Sequence, residues 1–274
     1  MILPIQYSRG LTYQIYVPQG IEAAYLEQMC EIKGSPDFKF ERMLPTLTTE
    51  ILINFNDKML GKFGDHYAGF DKGEFIIQGS QFRFFDSYLP KSPHFLSIKL
   101  TNKGFKELIN ISSSAIVNTH IHNPVNSGFR EVQVRMVEAH TFEQRVQLLL
   151  QWLRPKISRE EKDYLSIYVE QKLKAYPYYS SKDLEKMTGF SSKYINRRFK
   201  EYSGHTISNF KRLCRFKHTL GRIRNFNAES WTSILYDHNY YDQSHFIKEV
   251  NFFTGVNPTQ LRQGLSGQHY NLIL

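Results

Sequence analysis

The sequence predicts an α+β chain with two dissimilar halves. A β-rich N-terminal region is followed by an all-α C-terminal region that holds one helix–turn–helix unit twice, the copies joined by a long helix. Three observations carry this. The texture of the chain changes near residue 130, from short apolar runs to helical periodicity. The C-terminal half repeats itself at a shift of 51 residues. The net charge of +9 is also uneven: residues 156–274 hold 19 Lys+Arg against 11 Asp+Glu, and residues 1–155 hold 16 against 15.

Residues 1–129 form the β-rich domain. The runs TTEILINFND, GEFIIQGSQFRFFDSYL and PHFLSIKL are rich in Ile, Phe and Tyr and are bounded by Gly, Pro, Asp and Asn. Such runs read as strands of a barrel or sandwich. In the second run, Phe82 and Phe84 fall on one strand face with Arg83 between them. These three are the candidate lining of a small-molecule pocket, with the arginine facing an anionic group, although aromatic residues there are more often plain core. His120 and His122 share a strand face in THIHN. No nearby Glu completes a metal set, so no metal or other cofactor is expected.

Residues 130–155 switch to helical spacing. Val137, Phe142, Val146, Leu149 and Leu150 make an apolar stripe that Trp152 and Leu153 extend, and Arg154-Pro155 breaks it. Such a stripe needs cover. The expectation is a connector that takes part in a homodimer interface; packing on its own domain is the competing reading.

Residues 156–265 read as helices with short turns, and 266–274 as a tail. In SSKDLEKMTGFSSKYINRRFKEYSG, Leu184 and Met187 mark a first helix and Gly189 a tight turn. Ser191 or Ser192 caps a second helix and Gly204 ends it. On that helix Ile195, Phe199 and Tyr202 share one face, while Lys193, Asn196, Arg197 and Lys200 share another. A shift of 51 residues lays Ser191 on Asp242, Ile195 on Phe246, Phe199 on Val250, Tyr202 on Phe253 and Gly204 on Gly255. A cap, a three-residue stripe and a terminal glycine therefore recur together. In the second copy Asn239 stands where a turn needs positive φ. Between the copies, TISNFKRLCRFKHTLGRIRN (206–225) is an amphipathic rod of ~30 Å, close to the ~34 Å between successive major-groove faces of a duplex. A basic half built this way suits a polyanion.

These residues resemble the AraC/XylS family of bacterial transcription regulators. GFSSKYINRRFKEYSG is similar to that family's first recognition segment, and YYDQSHFIKEVNFFTGVNPTQLR to its second, across roughly residues 157–264. The resemblance implies that Lys193, Asn196 and Arg197 read bases from the first recognition helix, and Gln243, Ser244 and Lys248 from the second. Each of the six reads a base edge or holds a phosphate, and the sequence leaves both roles open. Arg198 lies off the exposed stripe and is expected on phosphate or on a nearby carboxylate. Lys200, Lys211, Arg212 and Arg215 are further backbone candidates. The order of strands resembles the cupin-like barrel that many such regulators carry as a sensor. The implied function is sequence-specific regulation of transcription, with double-stranded DNA as partner, and RNA polymerase and a small-molecule effector as further ones.

Three alternatives compete. A cupin metalloenzyme fused to a DNA-binding domain needs a His/Glu metal set. A methyl-transferring DNA-repair protein needs an activated cysteine, which Cys30 and Cys214 do not suggest. The third is an interaction protein without DNA affinity. No catalytic residue is assigned and no enzyme is expected. Two distant cysteines, no stretch of 18 apolar residues and the start MILPIQYSRG, which lacks a signal peptide's pattern, point to a cytoplasmic protein without a membrane span.

Overall fold

The computed structural model describes residues 1–38, 40–63, 65–124, 128–158, 163–224 and 231–266. The chain forms two compact units. The first comprises 1–41, 48–80 and 86–162; the second comprises 42–47, 81–85 and 163–274. From residue 267 the expected tail lies outside the described residues, as does Asn225 at the end of the expected rod.

Antiparallel sheets dominate the first unit. The strands of the chain are β1 (Gln6–Ser8), β2 (Leu11–Tyr16), β3 (Leu26–Gly34), β4 (Phe40–Met43), β5 (Thr49–Asn54) and β6 (Met59–Phe63). They continue as β7 (His66–Phe70), β8 (Phe75–Gln78), β9 (Phe85–Tyr88), β10 (His94–Leu100) and β11 (His120–His122). One sheet has the order β1-β2-β3-β10-β5-β8-β11 and the other β4-β9-β6-β7. Strand β8 reads FIIQ without alternation because it is buried on both faces. Phe75 and Ile77 join Ile51, Ile53, Leu96 and Ile98 in one core, while Ile76 joins Met59 and Phe70 in another. The first of those cores is closed by helices α1 (Asn102–Leu108), α2 (Arg130–Glu138) and α3 (Phe142–Leu153).

Residues 81–84, expected inside a strand, are irregular. Strand β8 ends at Gln78, and at the next residue a Cβ on Gly79 would lie 1.8 Å from the Ile116 carbonyl oxygen. The 130–153 segment forms two helices, α2 and α3. Thr141 caps α3 in a reciprocal box, its Oγ1 accepting from the Gln144 N–H at 3.2 Å while the Gln144 side chain accepts from the Thr141 N–H.

The stripe on these helices is covered at home. Phe142, Val146, Leu149, Leu150 and Leu153 are buried in the first unit's core, and Val137 and Trp152 pack at its margin. The stripe is therefore buried without a homodimer. Arg145 fixes the helix pair from within: its guanidinium meets Glu31 on β3 at 2.7 Å and donates to the carbonyls of Met136 and Ala139. Burial pushes the Glu31 carboxyl up, but its bond to His94 and the Arg145 charge outweigh this and hold it below the ordinary range.

Seven helices make up the described part of the second unit from residue 163 onward. They are α4 (Tyr164–Ala175), α5 (Ser181–Thr188), α6 (Ser192–Ser203), α7 (Ile207–Arg224), α8 (Trp231–Asp237), α9 (Gln243–Thr254) and α10 (Pro258–Ser266). The stripe of α7 lies at the centre: Phe210, Leu213, Phe216, Leu220 and Ile223 are buried. Phe210 meets Phe199 of α6 edge-on at 5.0 Å, and Phe216 stacks on Phe253 of α9 at 4.5 Å. One helix thus holds both copies of the repeat. Leu44, Leu47 and Phe82 belong to this same core.

Candidate nucleic-acid interface

The two copies of the repeat, α5–α6 and α8–α9, are built alike. Gly189 sits in the left-handed region at φ 74° and ends α5. Ser191 caps α6, accepting from the Tyr194 N–H, and Gly204 ends it at φ 79°. The turn is locked by Glu185, whose Oε1 accepts from both the N–H and the hydroxyl of Ser192 at 2.6 Å. In the second copy Asn239 makes the turn at φ 51°, Asp242 caps α9 by accepting from the His245 N–H at 2.7 Å, and Gly255 ends it at φ 72°. Buried Ile195, Phe199 and Tyr202 hold α6 down; Phe246, Val250 and Phe253 hold α9.

The outward faces carry the predicted readers. Lys193, Arg197 and Lys200 on α6 are exposed, as are Gln243, Ser244 and Lys248 on α9. Asn196 is different. It is half-buried, donates from Nδ2 to the Ser192 carbonyl at 3.0 Å, and accepts at Oδ1 from the Ile207 N–H at 3.4 Å. Its Nδ2 bonds back within α6 and its Oδ1 joins α6 to the start of α7, so one donor and one lone pair of the amide are already used by the fold. Ile247 of α9 is half-buried and packs against the core.

Several backbone candidates are tied internally. Arg198 pairs with Asp163 at 3.2 Å and Glu201 at 3.1 Å, the local-carboxylate option. Arg212 grips buried Glu249 of α9, Nε lying 2.8 and 2.9 Å from its two oxygens, and Arg215 reaches the same carboxylate at 3.4 Å. The Lys211 ammonium donates to the Tyr179 carbonyl, and burial lowers its pKa. These connector cations bind helices together, because an amphipathic rod buried along much of its length brings its charged rim against neighbouring carboxylates. Sequence spacing could not separate them from solvent-facing cations. Lys200 remains an exposed candidate for phosphate.

Phe82, Arg83 and Phe84, expected to line an effector pocket in the β-rich domain, stand in the second unit. Phe82 is buried and meets Phe252 and Phe253 edge-on at 5.7 and 5.4 Å. The Arg83 guanidinium lies 4.6 Å from the Phe252 ring centroid. Phe84 carries the Arg42 guanidinium at 4.3 Å, while Arg42 also donates to the Thr254 carbonyl at the end of α9. The aromatic run folds as packing around that helix end, a destination that nothing local in the run marks, because the contact is long-range.

His120 and His122 do lie on one strand, their rings 5.0 Å apart and edge-on. Among the described residues no set of three or more His, Cys, Asp or Glu is placed to hold a metal ion. Cys30 and Cys214 are both buried, and burial pushes each thiol up to about 12. Neither is poised as a thiolate, which weakens the methyl-transfer reading. No helix among the described residues is long and apolar enough to cross a membrane.

Residues 184–264 match the family model described as a helix-turn-helix domain, of the AraC type, and this segment is a DNA-binding domain of that kind. No curated protein matches the chain. Among solved structures, ToxT from Vibrio cholerae in its P21 form is similar at 8% identity and a TM-score of 0.47, over 92% of this chain and 98% of that one. Wild-type ToxT with a bound unsaturated fatty acid, from strain SCE256, is similar at 10% identity and a TM-score of 0.45, over 96% and 98%. The pirin YhhW of Escherichia coli, in complex with nickel(II), shares a part: 12% identity, a TM-score of 0.30, 36% of this chain and 52% of that one.

Proposed function

We propose that the protein is a sequence-specific transcriptional regulator that grips double-stranded DNA with α6 and α9 in successive major grooves. The observation that carries this is the duplication itself. Two capped, glycine-ended helices bury matching apolar faces and leave polar or cationic faces open, and both are anchored on one helix of 18 residues. At ~1.5 Å per residue that helix is about 27 Å long, of the order of one DNA turn. Lys193 and Arg197 read bases from α6, and Gln243, Ser244 and Lys248 from α9, while Lys200 holds phosphate. Asn196 sets the joint to α7. A regulator of this kind acts in the cytoplasm, with RNA polymerase as the partner that receives its effect.

Selection of bound duplexes from a random pool tests this reading. The parent protein should enrich one motif, and its affinity should fall steeply with salt as phosphate counterions are released. Arg197→Ala should lose about 1–3 kcal/mol and relax preference at one position. Enrichment of no motif, or an unchanged preference in Arg197→Ala, would contradict the reading.

A further inference from the structure

We propose that Tyr194, stacked on Phe190, is a positioning residue that sets the pose of Arg197 and so fixes the base preference of the first recognition helix. This rests on the DNA-reading function proposed above. Phe190 precedes the Ser191 cap, and Tyr194 follows it on the first turn of α6. Their rings stack with centroids 5.0 Å apart and planes 24° from parallel. The pair is no buried staple for the helix start. Phe190 is 46% and Tyr194 37% exposed, whereas the inward position of that turn is taken by Ile195 at 1%. The Arg197 guanidinium lies 5.3 Å from the Tyr194 centroid, within reach of a cation–π contact.

A phosphate needs only a positive charge, but guanine O6 and N7 need a planar fork in one orientation. Arginine is a long side chain with several rotamers, and ordering it on binding costs affinity. A guanidinium resting on a ring is already restricted, while its donor edge stays free. Tyr194 therefore acts on discrimination between bases more than on general attraction to the duplex.

The second copy lacks this device. The 51-residue shift puts Tyr241, His245 and Lys248 in the places of Phe190, Tyr194 and Arg197. The His245 ring turns to Tyr240, with centroids 5.6 Å apart and planes 69° from parallel, and its Nδ1 accepts from the Tyr241 N–H at 3.4 Å. Lysine has no planar fork to orient. The braced arginine belongs to the first motif.

The test uses the full chain and the motif selected by the parent. Tyr194→Ala should lower discrimination by about two- to fivefold at the base position that Arg197→Ala relaxes, with the salt slope and melting temperature unchanged. Tyr194→Phe should restore it, since the ring is kept. Tyr194→Ala with Arg197→Ala should lose no more discrimination than Arg197→Ala alone. Preference retained in Tyr194→Ala, no rescue by Tyr194→Phe, or additive losses would overturn the proposal while leaving the DNA-reading function intact. A parent that selects no sequence would overturn both.

Discussion

At the scale of single residues, the fold sets charge states that composition cannot disclose. His205 follows Gly204 at the end of α6 and is buried, and burial pushes its imidazole down to about 4. In the unfolded chain the same group titrates near 6.5. Between these values the unfolded chain binds a proton that the folded one refuses, so stability is full above about 6.5 and falls as pH drops towards about 4. His205→Gln should flatten this acid limb, measured as the difference between urea midpoints at pH 7 and pH 4.5. An equal fall in parent and variant would contradict the burial account. The helix caps were legible in the sequence because they are local: Ser191, Gly204, Asp242 and Gly255 act on the turn they stand in. Arg212 was not, because its partner Glu249 lies 37 residues away.

At the scale of elements, periodicity located the helices but not always their ends or their cover. The stripe on α3 was plain, but the capping box at residues 141–144, which starts that helix, went unread within the longer periodic run. What covers a stripe is a long-range question, and here β5, β8 and β10 answer it through Ile51, Ile53, Phe75, Ile77, Leu96 and Ile98. Val146→Glu should therefore place a charge in that core and destabilise the first unit by about 3 kcal/mol or more. The result is loss of cooperative melting or a much lower melting temperature. A folded variant with an unchanged melting temperature would show that the stripe is not core.

At the scale of the whole molecule, chain order and unit composition part company. The last crossing into the second unit falls at 162/163, but Leu44, Leu47 and Phe82 come from the β-rich stretch and bury in the helical core. Nothing in the spacing of Phe82 and Phe84 distinguished core from pocket. Phe82→Ala should cost the second unit about 3–5 kcal/mol, seen as earlier thermal loss of its helices, although the substitution lies in the N-terminal third of the sequence. No change in that transition would contradict the composition of the unit.

The repeated unit was legible because duplication writes the same physical constraints twice: a cap, three buried positions and a left-handed glycine, 51 residues apart. On the function proposed above, both copies engage one duplex together. Hydroxyl-radical footprinting of the full protein on its selected site tests this most directly. Two protected patches are expected on one face of the DNA, about one helical turn apart, with the patch under α6 weakened by Arg197→Ala and the patch under α9 by Lys248→Ala. A single patch, or two patches that both answer to only one of these substitutions, would contradict it.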